Sequence, residues 1–197
     1  MKGTPRGWVT GLPNRGEGAR AGPGRARRPP IGNARTDRLP AKMAWLWSKK
    51  SRKLELPPEE EQRWSVAQAE HDGVVLVVRC NETAGEWAGH AELPVKLGFA
   101  IPLNRPNPGG LPNPAENAEL GEVEDLIARL VPAAAVGVHA LTLTTGETKE
   151  LVFYIAPGAD IAKLHDDIRE QVASHDVQCL AVEDRKWRTY RAFAPGA

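Results

Sequence analysis

Residues 95–132 read VKLGFAIPLNRPNPGGLPNPAENAELGEVEDLIARLVP, and their period changes twice. Val95, Leu97, Phe99 and Ile101 alternate with Lys96, Gly98 and Ala100, the period of a half-buried strand. Arg105–Gly110 is then a chain of turns. Each proline fixes φ and biases its predecessor away from helix, and the glycines accept positive φ. Asn113, Pro114 and Glu116 fall at N-cap, N1 and N3, a capping-box arrangement worth roughly 1 kcal/mol. Leu120, Val123, Ile127 and Leu130 recur at helical spacing, which predicts a helix over 114–131 stopped by Pro132. Glu116, Glu119, Glu122 and Asp125 fall mostly away from that stripe, as solvating charges. Glu124 is nearest to it in angle and is the carboxylate expected to be partly buried. The cap explains 113–120 without a ligand, which leaves Asn104–Gly110 as the candidate ligand loop.

Upstream, "RWSVAQAE" and "VVLVVRC" flank His71-Asp72-Gly73, and Asp-Gly favours a hairpin. Residues 82–93 are irregular. Downstream, "AVGVHALTLTT" and "KELVFYIAP" read as strands joined across Thr145-Gly146-Glu147. Ile161, Leu164, Ile168 and Val172 mark a second helix, "DVQCLAVE" a last strand, and "KWRTYRAF" a short terminal helix. After the first hairpin the order is strand, helix, strand, strand, helix, strand. The expectation is an α+β domain: a ferredoxin-like βαββαβ sandwich extended by an N-terminal β-hairpin, with two helices on one face of an antiparallel sheet.

Charge divides the 197-residue chain. Residues 1–42 hold ten Lys/Arg against Glu17 and Asp37, with six prolines and eight glycines. That leaves 16 basic and 23 acidic residues in 43–197, so a basic front of about +8 precedes an acidic part of about −7. Residues 1–42 have too few apolar side chains to bury a core and are expected to be disordered. The composition breaks at Met43, and we expect Met43 to be the natural start, with 1–42 translated upstream sequence. Residues 43–62 read as a linker and 63–195 as one domain. The acidic domain is not drawn to nucleic acid or an anionic membrane surface in general. No apolar run approaches the ~18–20 residues that span a bilayer.

No chemical motif stands out. HExxH, CxxC, GxSxG and a P-loop are all absent, and Gly109-Gly110 runs into Leu-Pro. The sequence therefore implies no metal and no cofactor. Cys80 and Cys179 lie far apart and read as reduced thiols. Among the histidines, His71 is placed in a turn and His139 on one strand face with Leu141 and Leu143. His175 is placed where a cation would help end the second helix. His90, in the loop "EWAGHAELP" beside Trp87 and Glu92, is the histidine best placed to act. The C-terminal "DRKWRTYRAF" interleaves Trp187 with Arg188 and Arg191, a pattern that suits single-stranded RNA. Against it, Lys149–Tyr154 lacks the Gly of an RNA-recognition motif, and a helix docking its aromatics into the core explains the pattern as well.

"WSVAQAEHDGVVLVVR", "VKLGFAIPLNRPNPGGLPNPAENAELGEVED" and "ELVFYIAP" together resemble the DUF695 domain family, over about residues 62 to 195. The Pro-Leu-Asn … Gly-Leu-Pro … Glu-Asn … Glu-Asp run is the most specific part. The resemblance implies a cytoplasmic bacterial domain with a regulatory or binding role, and it brings no catalytic residues to transfer. The function expected is a non-enzymatic protein-binding or regulatory module with another protein as partner. The alternatives are an enzyme of unrecognised type acting on a small molecule through His90, Asn104 and Glu116, and a weak RNA-binding module using Trp187, Arg188 and Arg191.

Overall fold

The computed structural model describes residues 54–71 and 73–194. The expectations for residues 1–42, for Met43 as the start and for Asp72 lie outside the described residues. The described residues are α+β, with one six-stranded open sheet and three α-helices. In chain order these are β1 (Trp64–His71), β2 (Val74–Asn81), β3 (Val95–Pro102), α1 (Pro114–Ala134), β4 (Gly137–Thr144), β5 (Thr148–Ile155), α2 (Ile161–Gln171), β6 (Gln178–Glu183) and α3 (Arg188–Phe193). The strand order is β1-β2-β4-β5-β3-β6, and every neighbouring pair is antiparallel. β1 and β2 turn over at Gly73, whose φ of +77° is open to glycine without a Cβ penalty. The connection through α1 passes over β5, and the one through α2 passes over β3.

Strand alternation divides the core between two faces. On the front, Leu97, Phe99 and Ile101 of β3 and Leu151, Phe153 and Ile155 of β5 meet Leu120, Val123, Ile127 and Val131 of α1 and Leu164 and Ile168 of α2. On the back, Val152 and Tyr154 of β5 and Val138 and Ala140 of β4 meet Trp87, Leu93, Trp187 and Tyr190. Each large apolar side chain fully buried contributes about 1.5–3 kcal/mol. Removing Leu120, which has no exposed surface, would cost about 2–5 kcal/mol.

Four local readings are corrected. Pro132 does not stop α1, which continues to Ala134. Lying in the last turn, the proline forfeits one bond to Ala128, while the Ala135 N–H still donates to Val131 O at 2.9 Å. The cap at Asn113 is one-sided. Its Oδ1 accepts from Glu116 N at 3.0 Å, but the Glu116 carboxylate turns away and accepts from Arg105 N at 3.0 Å. His139 does not share a face with Leu141, because the β4–β5 register slips between them and leaves Ala140 as an extra residue. His175 does not cap α2, which ends at Gln171; it is buried against Glu116 instead.

Candidate functional site

The first half of the loop 103–113 is pinned by backbone hydrogen bonds. Leu103 N donates to Glu147 O at 2.9 Å and Asn107 N to Gly146 O at 2.6 Å, so it lies on the β4–β5 turn. Gly146 is required there, since a Cβ would overlap the Asn107 carbonyl oxygen. The Asn107 side chain then closes the loop on itself, donating to Leu111 O at 3.0 Å. The loop thus leans over the front of β2, β4 and β5, and a cleft of about 510 Å³ opens between them. Leu111, Pro112, Pro114 and Val77 give it apolar walls, and Arg79, Asn117, Thr142, Thr144 and Lys149 give it polar ones.

At the cleft floor an acid on α1 meets two bases on the sheet. The Glu124 carboxylate takes Lys149 Nζ at 2.5 Å on one oxygen, and Arg79 Nη1 and the Thr142 hydroxyl, both at 2.9 Å, on the other. Burial by itself raises the Glu124 carboxyl, but Lys149, Arg79 and Thr142 outweigh it and hold the group below its ordinary value. His139 extends the network. Its Nε2 lies 3.1 Å from Leu141 O and 3.2 Å from Thr142 Oγ1. The Thr142 hydroxyl already donates to Glu124, so the proton is assigned to Nε2. Burial lowers the His139 pKa to about 4, against the pull of Glu124, so the ring is neutral. It stacks on Phe153 at 4.3 Å and meets the Trp64 edge at 5.0 Å. Trp64 also carries the Arg79 guanidinium, 5.2 Å from its ring centroid. Two cations thus face one carboxylate, and one positive charge is left over. Lys149 is nearly enclosed, whereas the Arg79 side chain is 44% exposed and has donors to spare.

The bulge creates this arrangement. Without the extra residue, His139 and Thr142, three apart, would point to opposite faces. With it, both face α1.

The sequence-predicted residues fall into two groups. Asn104 and Glu116 come together at the first turn of α1. Asn104 Nδ2 donates to Ser174 O at 2.8 Å, and the fully buried Glu116 carboxylate lies 3.5 Å from His175 Nε2 and 3.5 Å from Nε of the exposed Arg105. Burial raises Glu116, yet the backbone N–H groups of Arg105 and Asn104, His175 and the Arg105 guanidinium prevail and lower it. His90 is not with them. Its ring lies 5.7 Å from Trp87 on the back of the sheet, and its Nδ1 accepts from Glu92 N. Trp187 is fully buried there, stacked on Tyr154 at 3.8 Å, with Nε1 donating to Leu93 O. Arg191 donates to the carbonyls of Lys186 and Ala88, while Arg188 is exposed.

Arg79, Thr142, Thr144 and Lys149 were not singled out from the sequence, because only the cross-strand register brings them together. Glu124 was singled out, and its angular position on α1 was the available signal. Both thiols move away from reactivity: burial raises Cys80, and pushes Cys179 to about 11. Among the described residues, no group of three His, Cys, Asp or Glu converges as metal ligands, and no helix is long and apolar enough to cross a membrane.

A family model described as "Family of unknown function (DUF695)" matches residues 62–194. No curated protein and no solved structure matches the chain.

Proposed function

The chain belongs to the DUF695 family, and we propose that this member is a non-enzymatic binding module whose cleft beside α1 receives a carboxylate-bearing segment of a partner protein. One observation carries the reading: the apolar walls of Val77, Leu111, Pro112 and Pro114 adjoin a cluster of two cations and one carboxylate. Apolar walls hold a side chain by burial, and the exposed Arg79 offers its free N–H groups to a carboxylate in a fork. The polar groups suit binding better than chemistry. Glu124 is tied up as an acceptor, His139 is neutral and already bonded, and both thiols are raised. We also read β3 to β6 with α1 and α2 as a ferredoxin-like unit, supported by the order β4-β5-β3-β6 and by two helices on one face.

The test is co-purification of the tagged chain from its source organism, beside an Asn117→Glu variant. Asn117 is an exposed residue on the cleft wall, so a new carboxylate there repels an acidic segment without touching the core. A stoichiometric protein partner that the variant loses supports the proposal. Recovery of the bare chain, or a partner indifferent to Asn117→Glu, refutes it.

A further inference from the structure

The outer edge of β1 is open. Among the described residues no strand pairs with it, and residues 66–70 are all exposed, with Val66 at 69%. Such an edge invites pairing, and proteins usually block it with Lys, Pro, a bulge or a short strand. β1, WSVAQAEH, has none of these: it is eight residues long, and its register with β2 runs unbroken from Trp64 to His71. The other edge strand, β6, has six residues.

The register tells which backbone groups point outward. Glu82 N donates to Arg63 O at 2.8 Å, which makes 63 and 82 a bonded pair in line with the β1–β2 register. By alternation, Ser65, Ala67 and Ala69 also bond to β2, and Trp64, Val66, Gln68 and Glu70 present their N–H and C=O groups outward. We propose that β1 pairs antiparallel with β1 of a second copy of this chain, about a two-fold axis through Gln68, joining the two sheets into one.

The strand's own sequence favours a second copy as occupant. Centred on Gln68, this register sets Gln68 opposite Gln68, Val66 opposite Glu70 and Ala67 opposite Ala69. The one acid of the exposed stretch therefore meets an aliphatic residue, and no like charges are opposed. The outward groups of Val66, Gln68 and Glu70 all find partners, and the exposed Val66 gains the Glu70 methylenes across the seam. A two-fold axis normal to the sheet keeps both fronts on one side, so the two Arg79 clefts open side by side.

The test is the solution mass of the full chain by light scattering and sedimentation, from about 1 to about 100 µM. A mass of twice 21.4 kDa is expected. In Gln68→Pro the lost N–H is an outward one, so the β1–β2 ladder survives and the dimer constant weakens by about tenfold or more. Circular dichroism checks that the fold is kept. Gln68→Lys and Gln68→Glu chains should each dissociate alone and form a heterodimer when mixed, because the two side chains face each other only in this register. A monomer throughout the range overturns the proposal. So does a dimer that ignores both Gln68→Pro and the charge pair.

Discussion

The clearest single perturbation of the cleft floor is Glu124→Gln. The amide keeps the shape and a hydrogen-bond acceptor for Thr142, but it removes the charge that Lys149 faces at 2.5 Å. The Lys149 side chain is 8% exposed, so its ammonium would be left buried without a counter-ion. Breaking a buried pair in this way costs about 3–5 kcal/mol. The Arg79 contact adds little, since an ion pair with a side chain 44% exposed is worth about 0–1 kcal/mol. The expected loss at pH 7 is therefore about 3–5 kcal/mol, a fall in Tm of roughly 10–15 °C for a chain of this size. Urea and thermal denaturation followed by circular dichroism measure it. The double variant Glu124→Leu/Lys149→Met tests the cause: with both charges gone, stability should return to within about 1 kcal/mol of wild type. The pH dependence gives a third check. Glu124 is held below its ordinary value of 4.5, so its contribution is complete above that pH and is lost as pH falls through the folded value. The gap between wild type and Glu124→Gln should be flat above about pH 5.5 and close at more acid pH. A loss under about 1 kcal/mol at pH 7, or a double variant no better than the single, would refute the reasoning.

Three further outcomes follow from the same contacts. His139 has a pKa of about 4 against an ordinary 6.5, so the unfolded chain takes up a proton that the folded chain refuses; stability is complete above 6.5 and falls as pH drops towards 4. Between pH 7 and 4.5, denaturant titrations should show wild type losing about 2 kcal/mol more than His139→Gln. Asn113→Ala removes the acceptor for Glu116 N and should cost about 1 kcal/mol in the same assay. Gly146→Ala puts a methyl group into the Asn107 carbonyl and should cost about 1–3 kcal/mol, with faster amide exchange at Asn107 as the local signature; unchanged exchange would mean the loop does not rest on that turn.

Elements with strong local signals were legible from the sequence. The β1–β2 hairpin, the Asn113 half of the cap and the Leu120/Val123/Ile127 stripe each follow from near neighbours, and each is where the sequence places it. What was not legible depended on partners distant in sequence. Glu116 sits at N3, where a capping role is complete in sequence terms, yet its carboxylate serves Arg105 and His175. Trp187, Arg188 and Arg191 form one pattern in sequence. Packing separates them, with the ring inside and Arg188 in solvent. The bulge at Ala140 has no local marker, since a residue inserted into "GVHALTLT" reads as ordinary alternation.

That unmarked bulge links the fold to the candidate site. Period-2 alternation would leave one of His139 and Thr142 on the back of the sheet, where Val138, Ala140 and Leu141 pack. The inserted residue turns both toward α1 and lets Thr142 reach the Glu124 oxygen that Arg79 also holds. Bulges carry a local cost in lost pairing and are retained where they re-aim a side chain. Here the re-aimed hydroxyl fills an acceptor site on a buried carboxylate that two cations leave partly unmet, and it does so without adding charge. The cluster thus keeps its surplus positive charge at the half-exposed Arg79, which lines the cleft together with Leu111 and Pro112.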